Sequence, residues 1–337
     1  MAPALAVADA LRAEGAQVTF IGGERAEAEL VPAAGYPLRT IAVEGLARRN
    51  PLLAARALLK ATRAFLRARA LLAELRPDAV MGGGGYVAGP VGLAAISKRT
   101  PLVLTEADSH LGLTNRMLAR FARRVCLAFP IPGREGDRYR LTGRPIPVPD
   151  ADRAVARQRL GIAPAEACVL VFGGSQGSRT INRAALAAFS SGGFHVLHVC
   201  GRRDYPECSA APLRGGYDLR DYLDLPGFAD ALAASDLAVA RAGGSVFELA
   251  AYGLPAILVP YPHAAANHQA ANASWMVDAG AAIAIPDAEL SPARLAREVA
   301  ELLANPGRMA AMASAARRLA RPDAAREVAA ELWATAR

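Results

Sequence analysis

The sequence predicts an α/β protein of two doubly wound domains, and three observations predict it. Short apolar runs alternate with longer stretches of helical periodicity over the 337 residues, the pattern of parallel strands returned by helices. Two of these runs pass directly into glycine-rich turns that open helices, at Gly173-Gly-Ser-Gln-Gly177 and Arg241-Ala-Gly-Gly-Ser245. Between the halves, Gly143-Arg-Pro-Ile-Pro-Val-Pro149 carries no periodicity and reads as an extended linker. Each half is long enough to bury a core of its own.

The first half opens on a helix over residues 1–15, with Pro3 in its first turn and Gly15 at its end. A strand is expected at 18–21. In an α/β domain each helix normally returns from a preceding strand, so a domain that opens on a helix is expected to lack its first strand and the loop after it. Strands are expected next at 38–43, 78–81, 102–104 and 125–127, with a long helix over 51–75. The strand at 78–81 leads into another glycine-rich turn, Gly82-Gly-Gly-Gly-Tyr-Val-Ala-Gly-Pro90. Beyond the linker, strands at 168–172, 194–199, 237–240, 256–259 and 282–285 repeat the pattern. The helix at about 324–335 is expected to cross back to the first domain. The domains are therefore 1–147 and 148–321, with 322–337 returning, and ligands are expected in the cleft that the strand ends face.

Composition narrows the function without choosing it. Hydrophobic residues make up 53% of the chain, yet no run of about 18 uninterrupted apolar residues occurs, so no membrane-spanning helix is expected. Residues 1–20 lack a charged leader ahead of an apolar core, and a secretory signal is not expected. The 4 cysteines (Cys126, Cys168, Cys200 and Cys208) form no C-x-x-C pair and suit a reducing compartment. A net charge of +8 favours phosphates, nucleic acid or an anionic membrane. No carboxylate or His/Cys cluster at ligand spacing is present, and no metal site is expected.

Charge is also patterned. In the helix at 51–75, Arg56, Lys60, Arg63 and Arg67 share one face, while Leu58, Phe65 and Leu72 recur on the other. A second helix is expected through 116–125, with Arg116, Arg120 and Arg123 on one face and Leu118, Phe121 and Val125 opposite. Solvated basic faces over apolar core stripes account for each helix singly; together they suit an anionic surface.

The turns carry the chemistry. Gly173, Gly174 and Gly177 permit backbone angles and close approaches that a Cβ forbids, and Ser175, Gln176 and Ser178 stand beside the open N–H groups of a helix N-terminus, which favours a diphosphate. The turn is neither G-x-G-x-x-G nor a P-loop, since no Lys-Ser/Thr pair ends it. In the Arg241 turn, Gly244 and Ser245 precede Glu248, a carboxylate placed to accept ribose hydroxyls or merely to complement the helix dipole. Gln269 and Asn272 lie three apart on a helix, and their amides both donate and accept, as sugar hydroxyls require; a solvated polar face is the alternative.

In this order, GGGGYVAGP (82–90), GGSQGSRTIN (173–182), RAGGSVFEL (241–249) and HQAANA (268–273) resemble the motifs of the MurG family over essentially the whole chain. The resemblance implies the GT-B fold, two Rossmann-like domains facing a cleft. It implies inverting transfer of N-acetylglucosamine from UDP to the 4-hydroxyl of a polyprenyl-diphosphate-linked muramoyl-pentapeptide, converting lipid I to lipid II in peptidoglycan synthesis. It also implies a peripheral place on the cytoplasmic face of the cell membrane, no cofactor and no nucleic acid. By resemblance, Gly174, Ser175 and Gln176 of the GGSQG turn meet the diphosphate, Glu248 holds ribose, Gln269 and Asn272 meet the sugar, and Phe228-Ala229 contacts uracil through its backbone; Gly244 and Ser245 are further substrate-binding candidates, and Arg241 is a candidate for the departing charge. Gly83, Gly84, Gly85 and Tyr86 form the acceptor-side loop.

The departures set further expectations. The family's Gly-Gly-His loop would fall immediately before Met1, so either the chain starts downstream of the natural start or the loop is lost, leaving a binding protein without turnover. Another GT-B transferase or an epimerase is a further alternative. The family's His-Glu-x-Asn reads Thr105-Glu106-Ala107-Asp108, making Glu106 the first candidate base and His110 the second, with Asp108 beside them. The family's Gly-Asn-Pro-x-Arg reads Gly143-Arg-Pro-Ile-Pro147, where Arg144 is the basic residue that remains. The turn before Glu248 is one residue shorter than in many members.

Overall fold

The computed structural model describes residues 1–24, 26–43, 51–147, 151–174, 176–264 and 267–336, with the backbone alone at Ala26 and 51–59. Contacts divide the chain into two compact units, Met1–Pro147 with Arg321–Arg337, and Val148–Ala320.

The first unit runs α1 (Ala2–Ala13), β1 (Phe20–Gly22), α2 (Ala26–Ala33), β2 (Leu38–Thr40), α3 (Pro51–Leu75), β3 (Val80–Gly82), α4 (Gly85–Ser97), β4 (Leu102–Glu106), α5 (Leu113–Leu118), β5 (Arg124–Leu127) and β6 (Tyr139–Leu141). Pro3 sits in the first turn of α1, and the chain leaves it through Gly15 at φ +91°, whose N–H reaches Arg12 O at 3.0 Å. Strands β1 and β2 form a parallel pair, and β3-β4-β5-β6 form a separate four-stranded parallel sheet. Leu71, Leu72, Leu102, Leu104, Leu118 and Val125 build the core between α3, α4, α5 and that sheet.

One expectation fails here, and one strand has no counterpart in the sequence pattern. The helix expected through 116–125 stops at Leu118, Val125 belongs to β5, and Phe121 stands 51% exposed rather than in the core. Strand β6 carries no apolar run because it is the edge of its sheet, where one flank meets water. The same holds for a strand of the second unit at Tyr217–Arg220.

The second unit runs α6 (Arg153–Arg159), β7 (Cys168–Phe172), α7 (Arg179–Ala188), β8 (His195–Val199), α8 (Tyr205–Ser209), β9 (Tyr217–Arg220), α9 (Leu225–Ala234), β10 (Leu237–Ala240), α10 (Val246–Tyr252), β11 (Ala256–Leu258), α11 (His268–Asp278), β12 (Ala282–Ala284), α12 (Pro292–Leu303) and α13 (Pro306–Leu319). Its six strands are parallel in the order β12-β11-β10-β7-β8-β9. Numbered within the unit this is 3-2-1-4-5-6 read from the other edge, the doubly wound order whose direction reverses between β7 and β10. All five residues of β7 are buried, as its unbroken apolar run requires at the centre of a parallel sheet. Side-chain oxygens of Ser178, Asp224, Ser291 and Asn305 accept first-turn N–H groups of α7, α9, α12 and α13.

The chain then returns to the first unit as α14 (Ala324–Thr335), which packs Ala325, Val328 and Leu332 against Val7 of α1, Val103 and Cys126. Glu331 of α14 fixes this placement by accepting from Arg124 at 2.9 Å and Arg140 at 3.2 Å. The four cysteines are buried and free, and burial pushes the Cys168 thiol up to about 11 and that of Cys126 to about 12, so both pack as protonated hydrophobes. Among the described residues no helix is long and apolar enough to cross a membrane.

Candidate functional site

In the second unit, the turns after β7 and β10 leave the carboxyl ends of adjacent strands on either side of the reversal point, where a doubly wound sheet binds its ligand. The turn after β7 is built to be tight. A Cβ on Gly173 would stand 2.3 Å from Ser178 N, and one on Gly177 (φ +73°) would stand 2.1 Å from Cys200 O. Gly174 (φ +83°) and Gln176 are exposed, with open space where a Gly174 Cβ would point. That leaves room for a ligand over the first turn of α7. Ser178 serves as the α7 cap: it is buried and its Oγ accepts from Ile181 N. Ser175, expected at the diphosphate, lies outside the described residues.

After β10, Gly243, Gly244 and Ser245 are half-buried and wind into α10 through Val246 N to Gly243 O at 3.3 Å and Phe247 N to Gly244 O at 3.2 Å. Glu248, half-buried in the first turn of α10, holds the position expected for a ribose carboxylate. Gln269, in the first turn of α11, accepts from Tyr261 N at 2.9 Å through Oε1, and its Nε2 lies 4.0 Å from the position of a Cβ on Gly243. The amide is therefore held by the loop after β11 with its NH2 over the Gly243 turn, brought beside Glu248's helix by the pairing of β10 with β11.

Three expected ligands are engaged by the scaffold. Asn272 is fully buried and donates to Ala242 O at 3.1 Å, so it pins the Arg241 turn, while its Oδ1 has no hydrogen-bond partner among the described residues. Arg241 is also buried; its guanidinium meets Asp287 at 2.5 Å and donates to Val259 O at 3.0 Å and Pro260 O at 3.3 Å, so its charge is already matched. Asp287, just past β12, was missed because nothing in the sequence links it to Arg241. Ala229 lies inside α9, and the Phe228 N–H donates to Asp224 O at 2.9 Å, which leaves neither backbone free to read a base. One turn earlier, Leu225 at the start of α9 is an apolar residue 49% exposed.

The first unit brings the acceptor-side residues together. The glycine turn after β3 and the loop after β4 face each other: Thr114 Oγ1 donates to Gly85 O at 3.2 Å, a Cβ on Gly83 would stand 3.6 Å from Thr105 Oγ1, and one on Gly84 3.6 Å from Asn115 Nδ2. Tyr86 is 65% exposed in the first turn of α4. Glu106 is buried and organises its own loop. Its Oε2 accepts from Gly112 N at 2.8 Å and Asn115 Nδ2 at 2.9 Å, and its Oε1 from Asp108 N at 3.2 Å. Both carboxylate oxygens are thus engaged as acceptors, and Glu106 holds the loop in shape. Asp108 and His110 ride half-buried on the loop so formed. Asn115, buried inside α5, is the residue the sequence reading passed over; a buried Asn in a short helix is the mark of a side chain used on a neighbouring loop. Arg144 belongs to this unit, with its Nε buried and without a hydrogen-bond partner among the described residues. No group of three or more His, Cys, Asp or Glu among the described residues could hold a metal ion.

Two parallel α/β units, one of them a six-stranded doubly wound sheet with glycine turns at its reversal point, define the class of two-domain, doubly wound nucleotide-binding folds. The chain matches the glycosyltransferase family 28 N-terminal domain over residues 1–127 and the family's C-terminal domain over 168–328, and it belongs to that family. It is 42% identical to the UDP-N-acetylglucosamine--N-acetylmuramyl-(pentapeptide) pyrophosphoryl-undecaprenol N-acetylglucosamine transferase of Moorella thermoacetica, over 96% of this chain and 92% of the relative. The protein of the same name from Rubrobacter xylanophilus is 42% identical over 98% of this chain and 99% of the relative. The crystal structure of Acinetobacter baumannii MurG superposes with a TM-score of 0.76 at 30% identity, covering 98% of this chain and 95% of that one. The GT-B fold expected from the sequence motifs is the fold observed.

Proposed function

We propose that this protein transfers N-acetylglucosamine from UDP-N-acetylglucosamine to the 4-hydroxyl of a lipid-linked N-acetylmuramoyl-pentapeptide, with inversion at the anomeric carbon. The observation that carries the donor half is the pair of glycine turns opening α7 and α10 on either side of the reversal point, with Glu248 and Gln269 on their rim. The activity for which the relatives at 42% identity are named supplies the acceptor half.

In a single displacement the acceptor oxygen bonds to the anomeric carbon as the bond from that carbon to the β-phosphate oxygen breaks, the hydroxyl proton passes to a base, and the negative charge leaves with UDP. Charge on the leaving diphosphate is met by the positive N-terminus of α7 beside the exposed Gly174, without a metal ion or cofactor. Because the Arg241 charge is matched by Asp287, that arginine fixes the β10, β11 and β12 loops in place rather than meeting the phosphates. On the acceptor side, Glu106 holds the loop after β4 in shape and His110 takes the proton, histidine being the side-chain type most used as a general base.

The acceptor's polyprenyl tail places the reaction at a membrane, here the cytoplasmic face, with peripheral attachment through the first unit. Support comes from α3 and α5. Arg63 and Arg67 are exposed on α3 with Leu66 beside them, and Leu113, Arg116 and Met117 are exposed on α5; just past it Arg120 stacks over the exposed Phe121 at 4.7 Å. The side chain of Arg56 lies outside the described residues. Cations with apolar side chains between them suit an anionic lipid surface, each cation contributing about 1 kcal/mol at low salt.

Two experiments test this reading. Glu248→Gln and Gln269→Ala should each raise KM for UDP-N-acetylglucosamine about tenfold or more and leave KM for the lipid acceptor unchanged; donor KM values equal to wild type would reject the donor site. Changing Arg63, Arg67, Arg116 and Arg120 together to Gln should abolish sedimentation with anionic vesicles at low salt, and unaltered sedimentation would reject the docking face.

A further inference from the structure

Strand β8 lies next to the central strand and all five of its residues are buried, yet two of them are histidines, His195 at its start and His198 inside it, where an aliphatic side chain would pack. His198 is wholly buried, and both of its ring nitrogens are engaged. Nδ1 is 2.8 Å from the Tyr217 hydroxyl on β9, and Nε2 is 3.0 Å from Asn182 Oδ1 on α7. Asn182 settles the direction of the chain. Its NH2 donates to Cys200 O at 2.9 Å and to Asp204 Oδ2 at 3.2 Å, so its oxygen must accept from His198 Nε2–H, and the Tyr217 O–H then donates to Nδ1. The imidazole is held as one neutral tautomer.

This chain ends where the donor turn is made. The Cys200 carbonyl it fixes is the atom against which Gly177 packs, and a Cβ on Gly201 would stand 2.7 Å from both the N and the Cα of Gly177. The two backbones touch with no side chain between them, so a displacement of residues 200–204 passes directly to the glycine turn. Asp204, the other acceptor of Asn182, also accepts from Arg179 Nε at 3.2 Å and Arg203 Nε at 2.7 Å, holding two solvent-facing guanidinium groups beside the first turn of α7. Asn182 itself sits one turn into α7, so the imidazole sets how far that helix stands from β8.

We propose that His198 is a positioning residue for donor binding: through Asn182 it fixes the Cys200–Asp204 loop and the start of α7, and thereby the glycine turn that takes the diphosphate of a nucleoside-diphosphate sugar. The inference rests on the donor reading given above. An apolar residue at 198 keeps the packing and leaves Asn182 Oδ1 and the Tyr217 hydroxyl without partners, freeing the loop to shift. Glutamine keeps one donor and one acceptor.

The test compares His198→Leu with His198→Gln, measuring UDP affinity by titration calorimetry well below the melting temperature, together with KM and kcat. His198→Leu should weaken UDP binding and raise the donor KM about tenfold with a smaller change in kcat, and His198→Gln should restore most of that loss. A purely structural role would lower the melting temperature without moving UDP affinity; wild-type affinity in His198→Leu, or glutamine no better than leucine, overturns the proposal. If His198→Leu does not fold, Tyr217→Phe, which removes only the donor to Nδ1, must weaken UDP binding, and unchanged affinity overturns it equally. A wild-type protein that does not bind UDP would overturn the donor reading and this inference together.

Discussion

Alanine at Gly177 separates steric closure of the donor turn from mere backbone strain. Both Gly174 and Gly177 have φ in the left-handed region, at +83° and +73°, so alanine at either costs about 1 kcal/mol of conformational energy. The surroundings differ. A Cβ on Gly174 meets nothing within 4 Å, whereas one on Gly177 lands 2.1 Å from Cys200 O and 3.0 Å from Cys200 C, both backbone atoms that cannot rotate away. An ordinary carbon–oxygen contact is about 3.3 Å, so the turn must open by about 1 Å. A misplacement of about 1 Å in a binding constellation costs roughly 10²-fold in kcat/KM, whereas strain alone costs less than about tenfold. Steady-state kcat/KM at low UDP-N-acetylglucosamine, with calorimetric UDP affinity, reads both. The reasoning fails if Gly177→Ala is no worse than Gly174→Ala.

Other expectations follow from the same contacts. Replacing Asp287 with Ala should lower stability by about 2 kcal/mol by stripping the buried Arg241 of its partner, and Arg241→Ala/Asp287→Ala should cost less than the sum of the single changes in a melting-temperature cycle. Glu106→Gln places an NH2 either against Asp108 N–H or against both Gly112 N–H and Asn115 NH2, so it should destabilise the protein by about 1–3 kcal/mol and raise the acceptor KM while UDP affinity stays at the wild-type value. Burial pulls His198 down to about 4 from an ordinary 6.5. The unfolded chain therefore binds the extra proton first, and stability present above pH 6.5 is lost as pH falls toward 4, by about 3 kcal/mol in all. Melting temperature against pH should show that slope in the wild type and a shallower one in His198→Gln.

Much of this was legible in the sequence because apolar runs and glycine turns report backbone directly. Cys168–Phe172 and Leu237–Ala240 were placed to the residue, as were the helices Pro51–Leu75 and Ala324–Thr335, since each is long or wholly buried and punctuated at its ends. Tyr217–Arg220 escaped because an edge strand needs no apolar run. Site residues were harder for a related reason. Motif spacing located the turns but not which way their side chains point. Asn272 and Arg241 sit in the right motifs, yet they face inward to Ala242 O and Asp287, and Ala229, expected to offer its backbone, lies inside α9. Glu106 was legible as a carboxylate beside the acceptor loop; that three donors already occupy it depends on how 108–115 folds back, which no local pattern encodes.

The central claim, a UDP-sugar donor site coupled to a lipid-linked acceptor, is tested most directly by UDP release with purified full-length protein. UDP-N-acetylglucosamine is supplied with and without a polyprenyl-diphosphate muramoyl-pentapeptide, and the product is read by mass spectrometry. The account predicts UDP release only when the acceptor is present, with one N-acetylglucosamine added per acceptor. Release independent of the acceptor, or UDP binding with no transfer, would contradict it.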